Sequence, residues 1–594
     1  MPKDHVVPVA PAEPAQEFHG FSGLSEITDR ALHAALARVT LGLSPAALLS
    51  AQLHWAVHIA TSPGKRFQLA DKAMRKLLRY QTYAWRNLLQ PGQVPPVIEP
   101  LPQDRRFRGE GWQHWPYNLI QQGFLLQQQW WHNATSGVRG VTRHHEAMVE
   151  FGARQVLDLF SPSNFLATNP ELQRRTLETG GRNLVEGLQH LFEDWERTVN
   201  GRKPAGSEAY VVGGNIAATP GKVVFRDNLM ELIQYEATTD TVRPEPLLIV
   251  PAWIMKYYIL DLSEQNSLVR YLTSQGFTVF VISWKNPTAR DRDVGFDDYR
   301  RDGVMAALDA IGAIVPGAKV HALGYCLGGT LLTVAAAAMA RQGDARLGSM
   351  TLLAAQVDFT EAGELMLFID EGQVSFLEDM MWEQGYLDAK QMAGAFQLLR
   401  SNDLIWSRGL HRYLMGERET MNDLMAWNAD ATRLPYRMHS EYLRQLFLNN
   451  DLAEGRYVAG GRPVMLADIQ APMFVVGTVH DHVAPWRSVY KVHNLVDAPV
   501  TFVLASGGHN AGIVAEVDRP GPWHQVMTHE AATRHLDPDT WAVTAPRREG
   551  SWWTTYAAWL AAHSGAPVPP PPIGNAAAGY VVLGDAPGTY VLED

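Results

Sequence analysis

The chain has 594 residues, too long for one ordinary core, and its length predicts two or three domains. Apolar residues make up 46% and charged residues 19%, the balance of a folded globular protein, while 18 tryptophans predict large apolar surfaces to cover. A formal charge of −11 gives no basic footprint for a phosphate backbone, so nucleic acid is not an expected partner.

Residues 1–22 open with four prolines and three alanines in the first twenty positions and read as a mobile arm. They lack the basic start and apolar run of an export signal, so a cytoplasmic location is expected. Residues 23–205 form a mainly helical N-terminal accessory domain in this reading. Gln121–Trp131 is rich in Gln and Leu, and Asn169–Trp195 repeats apolar residues at three-to-four spacing. A Gly-rich break at Val211–Gly214 and the turn at Thr219–Gly221 lead into β-rich text over Val223–Tyr235.

From there short apolar runs alternate with amphipathic segments. Leu247–Val250, Thr278–Ser283, Val320–Tyr325, Met350–Ala354, Met473–Val476 and Thr501–Ala505 read as buried strands of a parallel sheet covered on both faces. The expected class is doubly wound α/β over 206–564. The alternation stops between about 358 and 463, where Met-, Leu- and aromatic-rich helical text predicts a cap over the active site. The tail, 565–594, carries prolines at 567 and 569–572 and fits either a stiff extended segment or a packed edge.

The single cysteine excludes an intramolecular disulfide and a thiolate metal cage, leaving an inert core residue or a nucleophile. Its context favours the nucleophile. Gly324-Tyr325-Cys326-Leu327-Gly328-Gly329 follows an apolar run and precedes a helical one, the strand, turn and helix of a nucleophile elbow with Cys in the serine position. Glycine is needed two before and two after the strained central residue, because a side chain there would meet the adjoining backbone. The same elbow explains the uncharged run Ala322–Ala340, the one stretch long enough to consider as a bilayer span, so no transmembrane segment is expected.

In this fold, the α/β-hydrolase fold, acid and base follow the nucleophile in that order, on loops after late strands. Asp481 in Gly-Thr-Val-His-Asp-His and His509 in Gly-Gly-His-Asn-Ala-Gly satisfy both conditions. The competing histidines are His321, His480 and His482, and Asp481 has a plainer reading as a turn or N-cap residue. Leu327 N–H is the expected first oxyanion donor, and Ile254, in the loop after Leu247–Val250, the candidate second. A zinc site is not expected: His529 and His535 are six apart, not the four of a His-Glu-x-x-His helix.

With these motifs in place the chain resembles the polyhydroxyalkanoate synthases, whose lipase-like box has cysteine in place of serine. The likeness runs through Val223-Val224, Glu231–Tyr235, Lys256–Leu262, Asn266–Arg270, Ile282–Pro287, the cysteine box, Trp427–Asp430 and Asp481–Trp486. It implies a single-subunit enzyme that takes (R)-3-hydroxyacyl-CoA, releases CoA and extends an ester chain held on Cys326, with His509 as base and Asp481 as carboxylate. It further implies a homodimer at the surface of a polymer granule, with granule-coating proteins as neighbours and no cofactor beyond the CoA of the substrate. Two departures stand out: Gly-Gly-His-Asn-Ala-Gly replaces Ser-Gly-His-Ile-Ala-Gly around the base, and Val514–Pro522 lacks the lysine expected there. The rival readings are a polyester depolymerase or acyl-CoA thioesterase of the same fold, and, from another class, a non-catalytic granule-associated protein.

Overall fold

The computed structural model describes residues 22–593 apart from 41, 102, 103, 393, 395–401, 531, 532 and 534. The arm expected over 1–22 lies outside the described residues except for Ser22, where the first helix begins. Beyond residue 220 the chain builds one 11-stranded sheet. Its strands in chain order are β1 (Gly221–Arg226), β2 (Met230–Tyr235), β3 (Leu247–Val250), β4 (Val279–Trp284), β5 (Val320–Tyr325), β6 (Leu347–Leu353) and β7 (Met473–Thr478). They are followed by β8 (Val500–Ala505), β9 (Trp523–His529), β10 (Arg547–Glu549) and β11 (Gly584–Asp585).

Across the sheet the order is β10-β9-β8-β7-β6-β5-β3-β4-β2-β1-β11. The block from β4 through β8 is parallel throughout, and the flanking strands pair antiparallel. Every residue of β3, β4, β5, β7 and β8 is buried, which is why these strands read as unbroken apolar runs with no period-two alternation. This is the expected α/β-hydrolase architecture, with the cysteine box at the carboxyl end of the central strand β5. The antiparallel pair β9 and β10 went unread because its residues are mixed in polarity and, apart from His524 and Val526, half-buried or exposed.

The tail is a packed edge. Gly584 and Asp585 pair with Val223 and Lys222 of β1, and the fully buried Glu231 carboxylate accepts the Thr589 and Tyr590 N–H groups at 2.9 and 3.0 Å. Prolines keep the approach to this edge extended, and a buried carboxylate left without these donors would be costly.

Ahead of the sheet lie helices α1 (Ser22–Val39), α2 (Pro45–Ala60), α3 (Pro63–Leu89), α4 (Tyr117–Thr135), α5 (Arg143–Leu159), α6 (Pro170–Glu178) and α7 (Arg182–Val199). The helical spacing over Asn169–Trp195 is carried by two helices, because Gly180 and Gly181 take φ of 61° and 84° and end α6. These helices dock on the insertion between β6 and β7. His33 Nδ1 lies 2.7 Å from Asp379, and Asn183 Nδ2 donates to the Leu414 carbonyl at 2.7 Å. A Cβ at Gly187 would strike the Tyr413 carbonyl, so the glycine lets α7 press close to the insertion. The opposite face of α7 carries Val185, Leu188, Phe192, Trp195 and Val199, all exposed.

Among the described residues no helix is long and apolar enough to cross a membrane.

Candidate active site

Cys326 stands between β5 and the helix α8 (Leu327–Gln342), with φ 51° and ψ −124°, a conformation that non-glycine residues avoid. Its N–H donates to the Leu353 carbonyl at 2.9 Å, tying the elbow to β6. The flanking glycines are there for space. A Cβ at Gly324 would strike Gly329, and one at Gly328 would strike the Val250 carbonyl and Pro251 at the end of β3. Leu327 N–H belongs to the first turn of α8, where helical N–H groups have no intrahelical acceptor and the helix dipole favours negative charge.

The loops after β7 and β8 are joined by backbone bonds from Val479 N–H to the Ala505 carbonyl at 3.0 Å and from His480 N–H to the Gly507 carbonyl at 2.9 Å. This juxtaposition brings Asp481 to His509. The side chain of Asp481 is fully buried. Its Oδ1 accepts the Val483 and Ala484 N–H groups at 2.9 and 2.8 Å, and its Oδ2 meets His509 Nδ1 at 2.8 Å. One carboxylate oxygen of Asp481 therefore serves the turn and the other meets the imidazole. With Nδ1 taken, the other partner of the His509 ring is the Cys326 sulfur. Burial opposes protonation of His509, yet the charges and hydrogen bonds of Asp481 and Cys326 outweigh it and hold the imidazole well above its ordinary range. The arrangement suits a sulfur nucleophile beside an imidazole that a carboxylate orients.

The remaining histidines stand elsewhere. His321 is buried in β5, with Ser349 Oγ 2.7 Å from Nδ1 and Ser564 Oγ 3.0 Å from Nε2, and burial pushes it down to about 4, so it stays neutral. His480 is exposed beside the acid. The carbonyl of His482 accepts the Glu364 N–H at 3.0 Å, which joins the acid loop to the start of the cap. No group of His, Cys, Asp or Glu able to hold a metal occurs among the described residues.

The loop after β3 is held by the cap segment 427–432. Thr432 N–H donates to the Ile254 carbonyl at 3.1 Å, Met255 bridges Ala431, and Trp427 Nε1 donates to the Lys256 carbonyl at 2.8 Å. Tyr258 hydroxyl donates to Asp430 at 2.7 Å. The motif Trp427–Asp430 is thus a clamp on the loop that carries Ile254. Two tyrosines near the sulfur escaped sequence reasoning. Burial and the adjacent Cys326 raise the Tyr442 hydroxyl in the cap above its ordinary range, and Tyr325 is raised by burial and by the charges of Cys326 and Asp481. Tyr325 could have been suspected from its place in the box, whereas nothing in the local text marks Tyr442.

The chain is similar to known proteins in sequence and in fold. Family models match the poly-beta-hydroxybutyrate polymerase N-terminal region at residues 24–65 and the poly-beta-hydroxybutyrate polymerase (PhaC) N-terminus at 103–272, and the alpha/beta hydrolase fold at 245–516. A poly(3-hydroxyalkanoate) polymerase of Methylorubrum extorquens is 43% identical over 88% of this chain and 86% of its own length. The poly(3-hydroxyalkanoate) polymerase subunit PhaC of Cupriavidus necator is 37% identical over 82% of this chain and 83% of its own. Among solved structures, the monoacylglycerol lipase of Paleococcus ferrophilus aligns over 56% of this chain and 99% of its own at 11% identity and a TM-score of 0.31. The chain belongs to the poly(3-hydroxyalkanoate) polymerases.

Proposed function

We propose that this acyltransferase polymerises (R)-3-hydroxyacyl-CoA, with 3-hydroxybutyryl-CoA as the favoured monomer, through a thioester on Cys326. The observation that carries the reading is the meeting of Cys326, His509 and Asp481 at the elbow of a chain from this family. The Cys326 thiolate attacks the CoA thioester carbonyl, with Leu327 N–H and a donor in the Ile254 loop facing the oxyanion. The carbon–sulfur bond to CoA breaks, the acyl group passes to Cys326, and CoA leaves as a thiol with the proton held by His509. His509 then takes the proton of the 3-hydroxyl of a second monomer, whose oxygen attacks the Cys326 thioester. An ester forms, Cys326 is freed, and the lengthened chain, still a CoA thioester, returns to Cys326 as a second CoA departs.

Cysteine suits this cycle because thioester exchange is nearly isoenergetic, while a serine ester would be a poorer acyl donor to a hydroxyl. Asp481 orients the imidazole and stabilises its protonated form. The cap excludes water, which would otherwise compete with the hydroxyl acceptor. No cofactor is required. The enzyme works as a homodimer in the cytoplasm, at the surface of its own insoluble product and beside granule-coating proteins, and the exposed apolar face of α7 supports that location.

The test is thiol release from (R)-3-hydroxybutyryl-CoA by the wild type and by Cys326→Ala, with the product sized. High-mass polyester formed with CoA release, and lost in the variant, supports the reading. Free 3-hydroxybutyrate alone would make the protein a thioesterase.

A further inference from the structure

Beside the triad runs a second, uncharged line of side chains. Tyr325 is the last residue of β5, immediately before the nucleophile, and is 2% exposed. Its hydroxyl donates to Asn510 Oδ1 at 2.6 Å, and Asn510 immediately follows the base. The Tyr325 and His509 rings lie 5.7 Å apart between centroids, so this bond flanks the imidazole. Asn510 Nδ2 in turn donates to Asn428 Oδ1 at 3.4 Å, and Asn428 lies in the cap segment that clamps the Ile254 loop. One amide therefore touches the elbow strand directly, sits on the base loop, and reaches the cap segment that fixes the third functional loop.

We propose that Asn510 is a positioning residue that sets His509 against Cys326 by bonding the Tyr325 hydroxyl, and that its second bond, to Asn428, registers the cap to that geometry. The proposal rests on the assignment of Cys326 and His509 made above. The two bonds differ in kind. The elbow bond is short and has a buried donor, so breaking it strands a hydroxyl that has no access to water. The cap bond is long, and Asn428 is exposed, so water replaces it at little cost when the cap moves. The elbow arm holds the base in place through the cycle while the cap arm makes and breaks.

The geometry has a catalytic consequence because general-base transfer requires hydrogen-bond reach, and a misplacement of about 1 Å costs on the order of a hundredfold. An aliphatic residue at 510 would fill the space without accepting from Tyr325, leaving the base loop free to shift relative to the elbow.

The experiment is a double-mutant cycle on CoA release from (R)-3-hydroxybutyryl-CoA, with kcat, KM and thermal midpoint measured for Tyr325→Phe, Asn510→Leu and the pair. Each single variant is expected to lower kcat about tenfold to a hundredfold with KM little changed, and the pair to be no worse than the poorer single; the thermal midpoint should hold in Tyr325→Phe and in the pair and fall only in Asn510→Leu, which strands the hydroxyl. Asn428→Ala is expected to lower kcat by no more than about threefold, an effect absent in the Asn510→Leu background. Asn510→Asp still accepts from Tyr325 but adds a negative charge beside the imidazole, so the pH limb that reports His509 should move to higher pH. Should Asn510→Leu fail to fold, Tyr325→Phe, which removes the same bond without stranding the hydroxyl, carries the test. Losses that multiply in the pair, or single variants that match the wild type, would overturn the proposal. Wild-type release that survives Cys326→Ala would instead overturn the assignment of the nucleophile.

Discussion

The sheet and the N-terminal helices solve the problem of apolar surface in opposite ways. Strands β3 to β5, β7 and β8 bury every residue, and the helix behind the elbow is sealed along almost its whole length. In α3 and α7, by contrast, Phe67 is 77% exposed, Trp85 67% and Trp195 62%, and the buried clusters among the helices are small. A sheet covered on both faces fixes atoms to within the reach of a hydrogen bond, which is what a triad needs. A helix that turns its apolar stripe outward cannot owe its stability to that stripe, and offers it to something outside the fold.

That contrast can be broken or sharpened by measurement. The largest effect belongs to Cys326→Ala, expected to reduce CoA release by about a thousandfold or more while leaving the fold intact, checked by thiol titration and circular dichroism. Asp481→Asn should follow, with kcat/KM falling by about 10²- to 10⁴-fold. Because the Asp481 charge helps to hold the His509 imidazole above its ordinary range, its removal should also move the His509 limb of the pH profile to lower pH.

The next effect is one of stability. His321, His439 and His493 are buried neutral, each pushed from 6.5 down to about 4. The unfolded chain protonates them first, so the stability they permit at neutral pH drains away as pH falls from about 6.5 toward 4, by about 1.4 kcal/mol per pH unit for each. Acid unfolding followed by tryptophan fluorescence should show the loss in this window, and His321→Gln should reduce its steepness. The smallest effect on stability belongs to α7. Replacing Leu188, Phe192 and Trp195 with glutamine should change unfolding free energy by no more than about 0.5 kcal/mol per site, since these side chains are already in water. The same variant should shift protein from the granule pellet to the supernatant in a sedimentation assay. A marked fall in stability would mean that α7 packs inward after all.

Within the site, legibility followed sequence distance. The cysteine box could be read because all its constraints are local: a strand, a strained residue and glycines at fixed offsets that the β3 terminus and the helix start would otherwise strike. Asp481 and His509 could be placed because each follows a strand whose burial leaves an unbroken apolar signature. Tyr442 could not, and Trp427–Asp430 stood out as a motif without showing that it clamps the Ile254 loop, since both come from a helical insertion whose composition records only that it is apolar. Asn510 gave a faint signal as a departure from the pattern around the base, but its partner, Tyr325, lies 185 positions away.

The sequence by itself determined the class of fold and the family, and it singled out Cys326, Asp481 and His509 as candidates in a fixed chain order, because burial, backbone strain and chain order leave marks on residue type at each position. Only the tertiary structure decided that the tail closes the sheet edge at Glu231 and that α7 faces outward. It likewise decided that one asparagine joins the elbow strand, the base loop and the cap segment. Those outcomes depend on which surfaces meet across hundreds of residues, and a hydrogen bond between distant side chains demands nothing of the sequence beyond two polar residues that many other positions also carry.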